Sequence, residues 1–113
     1  MRRLLLFALL LAGCSKGPEA DLASISEARS LAAEWALVNE QAAKGQLNAT
    51  YVHVMRQELR RQLETSATSL KQPGSRYGAE IRAVLRLPDD AAPQELRAHV
   101  ATLKAIEDSL ESA

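Results

Sequence analysis

The sequence is short of cysteine, of aromatic residues and of long apolar runs. Its 113 residues include one cysteine, one tryptophan, two tyrosines and one phenylalanine. A single cysteine cannot form a disulfide within the chain, so the fold has to be stabilised by the packing of apolar side chains. The apolar run at 4–12 is also too short to span a bilayer, which takes about 20 residues as a helix.

An excess of charge of one sign is absent as well. The chain carries 14 basic and 14 acidic side chains, which gives a formal net charge of zero at pH 7. A general nucleic-acid-binding domain has a strong basic excess. We therefore expect no nucleic-acid partner.

The sequence motifs of catalytic and metal sites are missing too. The chain contains neither an HExxH motif nor a glycine-rich phosphate-binding loop. A metal site would have to join His53 and His99 with a carboxylate such as Glu58 or Glu95, and the two histidines lack the i, i+4 spacing of a helical metal pair. Two surface histidines are the simpler interpretation. We expect no catalytic residue, no metal site and no cofactor.

The N terminus has the pattern of a secretory signal. Arg2 and Arg3 form a basic start, the apolar run at 4–12 follows, and small residues close the segment. This order is typical of a signal peptide that is removed from the mature protein.

The four residues Leu11, Ala12, Gly13 and Cys14 end this segment. They resemble the lipobox of bacterial lipoproteins at all four positions. The resemblance implies that the Cys14 thiol, a soft nucleophile as thiolate, receives a diacylglycerol, and that cleavage before Cys14 and acylation of its amino group follow. The small residues at 12 and 13 suit a narrow peptidase cleft. The alternative is an ordinary signal peptide with a chance cysteine.

The lipobox resemblance also implies a location. Two or three acyl chains on one residue anchor a protein far more firmly than a single chain, which holds only marginally. In Gram-negative lipoproteins an aspartate after the cysteine is associated with retention in the inner membrane. Ser15 occupies that position here, so the resemblance implies an outer-membrane anchor that faces the periplasm.

The rest of the chain predicts an all-α fold. Apolar residues recur at helical spacing, which predicts helices at 24–44, at 48–71, at 76–87 and from about 91–93 to 112. The first two are joined by a link of a few residues, which forces an antiparallel hairpin. We expect this long helical hairpin to pack on the two shorter helices as a small four-helix bundle.

These segments divide the chain into three parts. We assign 1–13 to the signal peptide, 14–23 to the lipidated cysteine with a short polar tether, and 24–113 to the helical domain. Gly17 and Pro18 in the tether disfavour a helix.

Several residues are predicted to begin or end these helices. The expected N-caps are Ser24 or Ser26, Asn48 or Thr50, and Ser75. Gly45 follows the first helix as a C-terminal glycine should. Asp89 and Asp90 precede the fourth helix, where capping and the helix dipole would explain them.

Three arginines, Arg56, Arg60 and Arg61, cluster within two turns of the second predicted helix. Residues 50–71 carry four basic and two acidic side chains, whereas 89–113 carry six acidic and two basic ones. One interpretation is charge pairing between the second and fourth helices. The other is a basic surface that faces anionic lipid or an acidic partner.

Trp35 lies on the apolar stripe of the first predicted helix, which favours a place in the core. The alternative is an exposed anchor at a partner surface, where aromatic residues are enriched.

The sequence thus favours a small membrane-anchored envelope lipoprotein whose helical domain binds or positions another envelope component without catalysis. Self-association through a leftover apolar stripe is a variant of this hypothesis. A carrier of a small apolar ligand is the alternative, followed by an envelope hydrolase or metal protein.

Overall fold

A computed structural model describes residues 17–112, and in this part it has four α-helices and no β-strand. The helices are α1 (Leu22–Ala43), α2 (Ala49–Thr68), α3 (Arg76–Leu85) and α4 (Pro93–Glu111), preceded by a 3₁₀ turn at Pro18–Asp21. The predicted all-α architecture is confirmed. The lipobox, from Leu11 to Cys14, lies outside the described residues.

Local sequence signals set three of the helix ends. The Asn48 side chain accepts a hydrogen bond from the Tyr51 amide at 2.8 Å and caps α2. The Ser75 hydroxyl accepts one from the Gly78 amide at 3.1 Å and caps α3. Gly45 follows α1 with a φ of 70°, a left-handed conformation that favours glycine.

Two predicted caps are wrong. α1 begins at Leu22, so Ser24 and Ser26 lie inside its first turns and cap nothing. The residue at the N-cap of α4 is Ala92, without a side-chain cap, and Pro93 opens the helix. A proline is favourable there because its missing N–H would have no partner in the first turn.

α1 is the central helix of the bundle. It packs against α2 on one side and α4 on the other, and α3 packs against both α2 and α4. α2 and α4 do not pack against each other. The long hairpin therefore meets the last two helices mainly where α1 packs against α4 and where α2 packs against α3.

The core contains the apolar side chains that helical spacing selects. Residues with at most 2% of their surface exposed include Ile25, Trp35, Leu59, Leu63, Ile81, Val84, Leu96 and Leu103. Full burial of each such side chain is worth about 1.5–3 kcal/mol before the loss of conformational entropy is counted. Trp35 is fully buried, so of its two interpretations the structure supports the core.

Part of the predicted tether is packed onto the bundle. Asp21 is only 1% exposed, and its carboxylate accepts hydrogen bonds from the amides of Lys71 (2.7 Å) and Gln72 (3.0 Å) and from the Tyr77 hydroxyl (2.6 Å). These bonds join the start of α1 to the α2–α3 loop and to the first turn of α3. The folded part therefore begins before the predicted boundary at 24, because Asp21 has buried partners about 50 residues further along the chain.

Candidate interaction surfaces

An apolar groove lies between α1 and α2 near the turn that joins them. It has a volume of about 200 Å³. Its lining residues are Glu34, Leu37, Val38, Gln41, Leu47, Tyr51 and Met55, and we call it the hairpin groove.

The helical repeat places these residues together. Glu34, Val38 and Gln41 follow one another at intervals of four and three residues along α1, and Tyr51 and Met55 are four apart on α2. Residues at these intervals share one face of a helix. The turn at 44–48 then brings the two faces side by side.

Large apolar side chains in and beside the groove are exposed to solvent. Leu37 is 51% exposed and Tyr51 is 47% exposed. Val54, in the next turn of α2, is 54% exposed. Clustered apolar side chains of this size on a surface indicate an interaction site more often than single exposed ones do.

The predicted surface of Arg56, Arg60 and Arg61 is not formed. Arg60 points into the bundle: its guanidinium donates to the carbonyl oxygens of Leu85 (2.6 Å) and Leu87 (2.8 Å). The same group donates to the Asp89 carboxylate at 3.0 Å. Arg60 therefore holds the α3–α4 loop and is not available as a free surface charge.

Arg56 is also used inside the fold. Its Nε donates to the side-chain oxygen of Asn39 at 2.9 Å, and the Asn39 amide group donates to the carbonyl oxygens of Asp89 (3.0 Å) and Ala91 (2.8 Å). The indole N–H of Trp35 donates to the same Asp89 carbonyl at 3.0 Å. The Asp89 backbone carbonyl thus anchors the loop and its carboxylate pairs with Arg60, whereas the predicted cap of the fourth helix is not formed.

Arg61 is exposed and pairs with a carboxylate of its own helix. Its guanidinium donates to Glu58, three residues earlier. Hydrogen bonds from Arg61 and Gln62 lower the pKa of Glu58, and the pair raises the pKa of Arg61. The three arginines thus have three different environments.

The predicted charge pairing between the second and fourth helices is wrong, because among residues 17–112 the fourth helix pairs with the first helix and not with the second. In the described part of the chain, α4 pairs with α1 instead: Arg29 donates to Glu107 at 2.7 Å, and Arg97 donates to Glu40. The reason is geometric, because α1 lies between α2 and α4. Among the residues of the acidic segment that the structure describes, only Asp89 in the loop pairs with α2, through Arg60.

The structure does not bring the two histidines together. His53 is exposed on α2, whereas His99 on α4 lies 2.5 Å from a carboxylate oxygen of Glu80 on α3. Glu58 is paired with Arg61, and Glu95 is exposed at the start of α4. Within residues 17–112 no group of three potential ligands could hold a metal ion.

A second depression lies at the α3–α4 loop and has a volume of about 270 Å³. Its lining residues are Asn39, Ala42, Ala43, Arg56, Asp90, Ala91 and Pro93. The charged residues in this lining are Arg56 and Asp90. Ala43 and Asp90 are exposed to solvent. Neither this depression nor the hairpin groove is an enclosed apolar cavity of the kind that a carrier of a small apolar ligand needs.

Sequence reasoning missed a basic surface on α3. Arg76 and Arg82 on α3 and Arg86 directly after it are exposed, and the exposed Lys71 precedes them in the α2–α3 loop. We call these four residues the α3 basic face. In the part of the chain that the structure describes, none of them lies within 4 Å of a carboxylate oxygen.

Comparison with protein families, curated proteins and solved structures finds no match for this chain. Among residues 17–112, no helix is both long and apolar enough to cross a membrane.

Proposed function

We propose that the chain is a lipoprotein anchored through Cys14, with outer-membrane placement facing the periplasm, and that its helical domain binds another envelope component through the hairpin groove. The observation that carries the binding role is the exposure of Leu37 and Tyr51, about half of each side chain, beside Val54. The anchor rests on the lipobox from Leu11 to Cys14.

The chemistry of the groove defines the segment that it fits. Its floor is apolar, and the only charged lining residue is Glu34, which has no ion pair among the described residues. An amphipathic helix that inserts apolar side chains and places a lysine or arginine beside Glu34 satisfies both features. We assign this segment to a second envelope protein.

A second copy of the chain fits less well. In a two-fold symmetric dimer the same surface faces itself. None of the groove residues is basic, so two copies would bring Glu34 side chains together without a cation from either groove. Like charges at a buried contact are unfavourable.

Photo-crosslinking in intact cells tests the groove. A photoreactive amino acid is placed at Leu37 or Tyr51, and the matched control carries it at Ala101, which is exposed on α4. We expect one adduct from the groove positions, with the crosslinked peptide identified by mass spectrometry as an amphipathic segment that contains a basic residue. Glu34→Lys should reduce its yield. The same adduct from Ala101, or an adduct between two copies, would contradict the proposal.

The anchor has its own test. Mass spectrometry of the membrane-extracted protein should show an N-terminal peptide that begins at Cys14 and carries the mass of its acyl chains. Cys14→Ser should move the protein from the membrane fraction to the soluble fraction. A mature N terminus without acyl mass would overturn the anchor and leave the crosslinking result unaffected.

A further inference from the structure

We propose that the α3 basic face rests on the anionic headgroups of the membrane that holds the lipid anchor, so that the domain has a fixed side towards the lipid. This inference rests on the proposed anchoring through Cys14. Its first basis is charge: Lys71, Arg76, Arg82 and Arg86 lie without a carboxylate partner along one short helix and the loop before it. The Arg82 guanidinium also donates to the Pro73 carbonyl oxygen at 2.7 Å. Burial raises the pKa of the nearby Asp21 carboxyl, and the hydrogen bonds it accepts and the charge of Lys71 lower it. Cations outside a close ion pair still attract an external anionic surface.

The helical repeat makes these charges one surface. Arg76, Arg82 and Arg86 are separated by six and four residues, and the exposed Ala79 lies between the first two. At about 100° per residue, these positions follow one side of α3, whose ten residues span about 15 Å. The opposite side of the helix holds Ile81 and Val84 in the core.

The path of the chain brings this surface to the membrane. The carboxylate of Asp21 accepts hydrogen bonds from the Lys71 amide and the Tyr77 hydroxyl, so the N-terminal segment enters the fold beside the first turn of α3. The seven residues from Cys14 to Asp21 can span at most about 25 Å. An anchor at Cys14 therefore keeps the start of α3 within that distance of the lipid.

The distribution of charge favours one orientation. Residues 49–87 carry seven basic and three acidic side chains, whereas 88–112 carry two basic and six acidic ones. An anionic surface attracts the α2–α3 side and repels the outer side of α4. A membrane fits this diffuse face better than a small ligand does, since neither of the two depressions described above is lined by any of the four cations.

The same orientation exposes the hairpin groove. Tyr51 in the groove and Arg60, which faces the end of α3, are nine residues apart on α2. At about 100° per residue they point to opposite sides of the helix. A domain that lies on its α3 basic face thus presents the groove away from the lipid, towards a partner in the aqueous space.

Vesicle binding tests the inference without the lipid anchor. The protein is the chain from residue 14 with Cys14→Ser, which keeps every described residue. It is titrated with up to about 10 mM lipid, as vesicles of phosphatidylcholine with or without phosphatidylglycerol, at low ionic strength. Each basic residue near an anionic surface contributes about fivefold in partitioning. We expect R76Q/R82Q/R86Q to lose about 100-fold of its binding to anionic vesicles.

The matched control removes three charges from other faces. K44Q/R97Q/K104Q has the same net charge as R76Q/R82Q/R86Q, but its three residues pair with carboxylates on α1 and α4. We expect it to keep most of the binding, and circular dichroism checks that both variants fold. Equal binding to neutral and anionic vesicles, or an equal loss in the control, would overturn the inference. The vesicle assay uses protein without acyl chains, so its outcome does not depend on the results of the acylation and crosslinking tests.

Discussion

The guanidinium carbon of Arg60 lies 4.8 Å from the ring centre of Trp35, above the face of the indole. The arginine therefore combines a cation–π contact with hydrogen bonds to the backbone carbonyls of Leu85, the last residue of α3, and of Leu87 in the loop after it. Two helices and a loop are joined through one side chain.

Replacing Arg60 by alanine should destabilise the fold by about 2–4 kcal/mol. Two partly buried carbonyl oxygens lose their donor, and the contact with Trp35 is lost as well. Chemical denaturation followed by circular dichroism measures the change. Arg61→Ala, one residue further along the same helix, is the control, because a solvent-exposed ion pair within a helix contributes little to stability. Equal losses in the two variants would show that Arg60 does not hold the loop.

The Asp21 hydrogen bonds predict acid sensitivity. Burial is the largest single influence and would raise the pKa of Asp21, but hydrogen bonds from Lys71, Tyr77 and Gln72 together outweigh it and lower the pKa below 3.8. A folded-state pKa below the unfolded one stabilises the fold above the unfolded value, and this contribution is lost as the pH falls through the folded pKa. The free energy of unfolding should therefore drop as the pH is lowered below about 4.

Asp21→Asn tests this assignment. The amide keeps one acceptor oxygen and loses the charge, so at pH 7 we expect a destabilisation of about 1–3 kcal/mol. The variant should also lose stability less steeply than the parent below pH 4. Asp90→Asn, at an exposed position in the α3–α4 loop, should leave both quantities nearly unchanged. A parent-like pH profile in Asp21→Asn would show that another carboxylate is responsible.

Two glycines give a paired prediction on packing. A Cβ on Gly78 would overlap the backbone carbonyl oxygen of Pro73, whereas a Cβ on Gly74 would meet nothing within 4 Å. Gly78→Ala should cost about 1–3 kcal/mol, because backbone has to move to admit the methyl group. Gly74→Ala should be neutral or slightly stabilising, since it restricts the unfolded chain. Thermal unfolding distinguishes the two, and similar melting temperatures would contradict the close approach of Gly78 to Pro73.

Ser66 on α2 predicts a gain in stability. Its hydroxyl is buried and has no hydrogen-bond partner within residues 17–112. Removing an unpaired buried polar atom relieves a desolvation penalty, so Ser66→Ala should stabilise the fold by about 0.5–2 kcal/mol. Ser69→Ala is the control: Ser69 is the exposed residue directly after α2 and its hydroxyl donates to the Thr65 carbonyl oxygen at 2.7 Å, so this change should not stabilise the fold. A loss of stability in Ser66→Ala would show that the hydroxyl has a partner after all.

What the sequence could predict depended on how far apart the interacting residues are. The helices follow from the spacing of apolar residues. Asn48, Ser75 and Gly45 act on backbone within a few residues of themselves, so the local sequence predicts their roles. It does not predict the roles of Asp21 and Arg60, because their partners lie about 50 and 25 residues away. No feature of the neighbouring sequence distinguishes Asp21 from a solvent-exposed residue of a tether.

The candidate surfaces show the same limit. Arg56, Arg60 and Arg61 stand out because they are close in sequence, yet the direction of each side chain depends on where α1 and α3 pack. The spacing of Arg76, Arg82 and Arg86 was visible in the sequence as well, but only the packing of α3 shows that this side of the helix faces solvent. The hairpin groove required the relative position of two helices.

The hydrogen bonds of Asp21 also determine how the fold bears mechanical load. A force applied through the N terminus reaches Asp21 before it reaches α1, and its three hydrogen bonds pass the load to the α2–α3 loop and to the first turn of α3. These bonds have to rupture before α1 can peel away from its neighbours turn by turn. The attachment of the N-terminal segment to the rest of the domain thus depends on one buried carboxylate, and protonation of that carboxylate in acid weakens it.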